Sequence, residues 1–147
     1  MNFHKFLRNE EPDFKRRFLG DIWNFTNEEI EYNHDFIQLV FPLNKPSNAV
    51  FNNLYLKSAL EIDMLKQDDL VQENLLRSRN WFINFLKNNN QWKSYSDHNQ
   101  LRITRVIECL RLLISDKEAN NFYSEILDIV GQYPKINATT LKFWKDA

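Results

Sequence analysis

The pattern of apolar and polar positions along this chain has the period of helices nearly throughout. Residues 26–41 carry Ile30, His34, Ile37 and Phe41 on one line of a helical wheel, with Tyr32, Phe36, Leu39 and Val40 spreading round one flank. Thr26 and Glu29 form a capping-box pair at its start, and Pro42 stops it. Only Glu28, Glu31, Asp35 and Gln38 remain for water, and so wide an apolar arc predicts a central helix. A second segment of this kind begins at Asp97 and runs to Ile114. Its main stripe is Ile103, Val106, Ile107, Leu110, Leu113 and Ile114, and a lesser stripe of Leu101, Arg105, Cys109 and Leu112 lies on the other side.

The remaining segments read as shorter or more one-sided helices. Phe3, Phe6 and Leu7 suit a short helix within residues 2–9, and Phe14, Phe18, Leu19 and Ile22 suit another over 13–23 after Pro12. Ser58 with Glu61 opens a helix to about Lys66, and Asp68 or Asp69 restarts one whose stripe from Val71 to Leu86 ends near Asn88–Asn90. Ser115 with Glu118 opens a helix ending at Gly131, a C′ residue followed by Pro134, and Asn137 caps a final short helix. Residues 42–57 hold two prolines and four asparagines, yet Val50, Phe51, Leu54, Tyr55 and Leu56 are too apolar for a linker; an ordered loop is expected. No segment alternates with period two and no repeat recurs. The expected fold is all-α, one compact domain over residues 1–147 with six to seven helices, two of them central and largely buried.

Composition narrows the function classes. Net charge is −1, from 19 basic and 20 acidic residues spread along the chain, which argues against nucleic acid or an acidic membrane as partner. No apolar run approaches the ~18–20 residues that span a bilayer, and the first residues are too polar for a secretory signal. With Cys109 as the one cysteine, an internal disulfide is excluded, and a soluble cytoplasmic protein is expected. Two glycines, against a usual share of ~7%, leave no phosphate-cradling loop. The histidines at 4, 34 and 98 share no metal-ligand spacing, and no cofactor is expected. The acidic pairs Glu28/Glu29 and Asp68/Asp69 stand at helix starts, where the helix dipole accounts for them.

The residues whose chemistry asks for a reason are few. His34 interrupts the apolar arc of the first central helix: either it is a core histidine hydrogen-bonded to a neighbour, or it binds ligand or shuttles protons. Arg105 lies between Leu101 and Leu112, and a guanidinium there needs several carbonyls or a carboxylate such as Glu31 or Asp35, since breaking a buried pair costs ~3–5 kcal/mol. Alternatively, His98, Arg102 and Arg105 hold a phosphate or a peptide carboxylate. His34, Gln38, His98, Arg102 and Arg105 are therefore the candidate ligand or polar-network residues. Trp23, Trp81, Trp92 and Trp144 read as core aromatics, with a peptide-binding surface as the alternative, and Cys109 reads as a buried inert thiol.

Four stretches, in this order, carry a resemblance. NEEIEYNHDFIQLVFPLNKPS at 27–47, VQENLLRSRNWFINFL at 71–86, HNQLRITRVIECLRLL at 98–113 and TTLKFWKDA at 139–147 together resemble the conserved region of the opioid growth factor receptor family. The resemblance covers roughly residues 13–147, with departures at Leu39, where the family pattern has Trp, and at Asn88–Asn90, where a glycine usually ends the helix. Vertebrate members are non-classical receptors for enkephalin-type peptides, associated with the nucleus and its membrane. Small stand-alone members have no assigned activity to carry over, and the resemblance supplies no catalytic or peptide-contact residues; a peptide- or protein-binding module is the first expectation. The expected function is such a non-enzymatic module, with a groove between the two central helices and the 42–57 loop. The alternatives are a small-anion binder or enzyme built on the His/Arg set, and an oligomerising unit.

Overall fold

The computed structural model describes residues 1–47 and 53–147, and the expectations placed on Val50 and Phe51 lie outside the described residues. Among the described residues the chain is all-α, with nine α-helices and one 3-10 turn in place of the six to seven helices expected. It forms two compact units, residues 1–82 and 83–147.

The first unit contains α1 (Phe3–Leu7), α2 (Leu19–Trp23), α3 (Asn27–Tyr32), α4 (Ile37–Val40), α5 (Ala59–Gln67) and most of α6 (Asp69–Lys87). Its helix starts follow from local side chains. Asn2 Oδ1 accepts from Lys5 N at 3.1 Å, and Ser58 Oγ accepts from Glu61 N at 3.1 Å. At α3 the capping box closes in both directions, with Thr26 Oγ1 accepting from Glu29 N and Glu29 Oε1 from Thr26 N, each at 3.1 Å. α1 packs on α5. Phe6, Leu7, Leu19, Ile22, Leu65 and Val71 are fully enclosed.

The helix expected over 26–41 is broken into α3 and α4, and the break has a physical cause. Arg17 donates to the Asp35 carboxylate at 2.8 Å and to the Asp35 main-chain carbonyl at 3.2 Å, drawing that carbonyl away from a helical ladder. Lys15 pairs with the same carboxylate. Phe36 then turns inward, edge-on to Phe25 at 5.5 Å and to Trp81 at 6.0 Å. The apolar arc was too wide for one helix because two short helices share it, each burying its own face.

Residues 13–17, expected to be helical, form a tight loop closed by Asp13. Its buried carboxylate accepts from the main-chain N–H of Lys15 and Arg17 and from Arg17 Nε, at 2.8 to 3.0 Å. Arg16 is held there at φ 62°, a conformation that favours glycine or asparagine.

The second unit is organised by α7 (His98–Leu113), which packs against the 3-10 turn Gln91–Lys93, α8 (Asp116–Val130) and α9 (Ala138–Asp146). Asp97, Ser115 and Asn137 cap the three helices, accepting from Asn99 N, Glu118 N and Thr140 N. Ile103, Val106, Ile107, Leu110 and Leu113 of α7 are buried, as are Ala119, Phe122 and Ile126 of α8 and Trp144 of α9. Trp92 and Trp144 are core residues; Trp23 and Trp81 are only half-buried.

Candidate functional site

His34 is exposed, in the turn between α3 and α4, which corrects the expectation of a core histidine. Once the helix breaks there, its position on the apolar line has no meaning. Its main-chain carbonyl accepts from Gln38 Nε2 at 3.3 Å, and Gln38, expected to face water, is buried. Asp35, named as a partner for Arg105, is engaged by Lys15 and Arg17.

His98, Arg102 and Arg105 lie on α7 at steps of four and three, which places them along one side of the helix. Arg102 is buried and donates to Asn99 Oδ1 at 3.2 Å. Arg105 is half-buried; burial lowers its pKa, against the opposing pull of Cys109 and Glu108, and an arginine stays charged regardless. Burial also pushes the Cys109 thiol well above its ordinary range despite Arg105 nearby, so it is no nucleophile at neutral pH.

Two carboxylate clamps in the first unit escape sequence reading. Asp35 is one. Burial opposes its ionisation, and hydrogen bonds from Lys15 and Arg17 overcome this and lower its pKa. Asp68 is the other, and it ends α5 while starting α6. Its carboxylate accepts from Leu70 N and Val71 N, from Arg8 at 2.7 and 2.9 Å, and pairs with His4 Nε2 at 2.7 Å. The position of Asp68 between two helical patterns was a visible signal; His4 and Arg8 as its partners, more than fifty residues away, were not. Both clamps join groups of opposite charge within the fold, which is the arrangement of structural ion pairs.

A concave feature of the second unit lies where α8 gives way to α9. Gly131 ends α8 at φ 83°, and an added Cβ there would meet open space. The loop that follows is tied down by Asn137, whose main-chain N–H and Nδ2 both donate to the Tyr95 carbonyl, at 3.2 and 2.7 Å. α9 is docked by Trp144, whose indole N–H donates to the Gln100 carbonyl at 3.0 Å. The Gln100 side chain in turn donates to the carbonyls of Trp92 and Ser94, each at 2.9 Å.

This framework leaves a hollow of about 650 Å³ with Tyr123, Leu127, Val130, Pro134 and Leu141 as apolar lining and Lys142, Lys145 and Asp146 at its polar edge. A second hollow of about 380 Å³ shares Val130 and Pro134 with the first and adds Lys93, Tyr133 and Lys135. Leu127 is 39% exposed and Tyr133 92%, so apolar surface stands open to water. The lining contains no histidine, cysteine or arginine, and none of the five candidate residues belongs to it. The lysines come from the 3-10 turn, the loop and α9, segments that pattern reading treats separately. Comparison with models of protein families, with curated proteins and with solved structures gives no match.

Proposed function

We propose that this chain is a non-enzymatic module that binds a peptide or protein segment. The observation that carries the reading is the pair of adjoining hollows at the end of α8, lined by leucine, valine and proline together with lysine amines. Concave apolar surface with a few polar groups at its margin is the usual form of a peptide-recognition groove. The titratable side chains around the larger hollow are Tyr123, Lys142, Lys145 and Asp146, and Asp146 is paired with Lys142 at 2.5 Å. Such a set can orient a ligand and offers no activated nucleophile. The resemblance to the opioid growth factor receptor family, whose vertebrate members receive short peptides, supports the same class of ligand.

The test is to pan a displayed library of random nine-residue peptides against the full chain and measure the selected peptides by fluorescence polarisation. The expected result is micromolar binding that Leu127→Glu, a change at a partly exposed position, weakens more than tenfold while the circular dichroism spectrum is unchanged. Failure to enrich any peptide, or binding indifferent to Leu127→Glu, overturns the reading.

A further inference from the structure

Resting on that reading, we infer that the segment this groove takes is acidic, with an apolar side chain set among its carboxylates. Charge complementarity selects such a segment. Four lysines, Lys93, Lys135, Lys142 and Lys145, border the two hollows, and one carboxylate, Asp146, stands among them. That is a local excess of positive charge on a chain whose net charge is −1.

The Asp146 carboxylate is already held by Lys142 and the lining holds no second acid, while Lys93 is bonded to Asn90 Oδ1 at 3.1 Å, a neutral partner that leaves its charge uncompensated. Exposed ion pairs contribute ~0.2–1 kcal/mol each, too little to bind a ligand alone but enough to select its sign and speed its approach. Affinity must come from the apolar lining, where Leu127 and Leu141 offer a site for an aliphatic or aromatic side chain. Tyr133 stands at the smaller hollow, almost wholly exposed, with its ring free to cover a bound segment.

The shape decides between a peptide and an anionic membrane, both of which attract lysines. A flat headgroup layer meets the lysines and leaves the hollow of about 650 Å³ unfilled, whereas a chain of side chains fills it. The apolar lining also argues against a bare polyphosphate, which has nothing to place on leucine and valine.

The library selection supplies the test, with three further arms. The selected peptides are expected to be enriched in Asp and Glu around one apolar residue. Their binding is expected to weaken at least fivefold on raising NaCl from 50 to 500 mM, and tenfold or more in the double variant Lys135→Glu, Lys145→Glu, whose positions are exposed. Replacing the acidic residues of the best peptide by Gln and Asn is expected to cost a similar factor. Selected peptides that bind in the groove with no preference for acidic residues overturn the acidic ligand and leave the binding module standing. No selected peptide at all overturns both. Sedimentation of the chain with phosphatidylserine vesicles, lost in the same double variant, overturns the peptide in favour of a membrane surface.

Discussion

The Asp68 clamp offers a perturbation whose magnitude follows from geometry. In Asp68→Ala the first turn of α6 loses the side-chain acceptor that holds Leu70 N and Val71 N, worth ~1 kcal/mol for a cap. Arg8 and His4 lose the carboxylate they share, worth ~1.5–3 kcal/mol for hydrogen bonds to a charged group. A total near ~3 kcal/mol corresponds to a fall in Tm of about 6–12 °C for a chain of this size. Asp68→Asn separates the two contributions, because asparagine caps as well as aspartate but carries no charge.

The pH dependence then has a definite sign. Burial of Asp68 opposes its ionisation, but hydrogen bonds from His4, Arg8 and the Val71 backbone, with the charge of Arg8, lower its pKa from 3.8 to about 2. A carboxyl depressed in the folded state stabilises the fold fully above its ordinary pKa, and the contribution is lost as pH falls through the folded value. The shift corresponds to ~2 kcal/mol at most, and ~1–2 kcal/mol after allowance for solvent screening at this partly exposed site. Urea denaturation of the wild type and Asp68→Asn at pH 7, 4 and 2.5 is the assay. The wild type is expected to lead by that margin at pH 7 and to lose most of the lead by pH 2.5. Equal stabilities at pH 7, or a difference constant across the series, refute the clamp as described.

Three further outcomes follow from the packing. Gln100→Ala leaves the carbonyls of Trp92 and Ser94 without their side-chain donor, at a cost of ~2–3 kcal/mol measurable by urea denaturation; a loss below ~0.5 kcal/mol contradicts the role of Gln100 in holding the Trp92 turn. Cys109 is fully buried and its thiol is pushed up, so a thiol reagent at pH 8 reacts at the rate at which the fold opens, and immediate labelling of native protein contradicts its placement. Arg16→Asn relieves a left-handed residue within the Asp13 loop and is expected to raise stability by ~0.5–1 kcal/mol by the same denaturation assay, and a decrease contradicts that geometry.

What could be read from the chain alone depended on how local its cause is. Thr26, Ser58, Asp97, Ser115 and Asn137 each accept from a main-chain N–H two or three residues on, so the helix starts were legible. The main stripe of α7 and the stripe of α8 were legible because their burial follows a single period, whereas the lesser stripe of α7 does not hold, since Leu101 is 68% exposed and Arg105 and Leu112 are half-buried. The break between α3 and α4 was not, because Arg17, eighteen residues away in sequence, imposes it. His34, read as a core residue, is exposed because of that break. The arginines of α7 stood out by their types and spacing; Arg102 is buried beside Asn99, and Arg105, the one placed in an apolar stripe, is half-buried. The groove was invisible in the sequence, since its lysines and leucines come from separate segments and meet through the Asn137–Tyr95 and Trp144–Gln100 bonds, 42 and 44 residues apart.

If the hollow between α8 and α9 takes the proposed acidic segment, the residues that line it must respond to that segment. The most direct measurement is the set of backbone amide shift changes in the isotopically labelled full chain as a selected acidic peptide is titrated in. The account predicts saturable changes centred on Leu127, Val130, Lys135, Leu141 and Lys145. Changes centred instead on His98, Arg102 and Arg105, or on the turn at His34, contradict it.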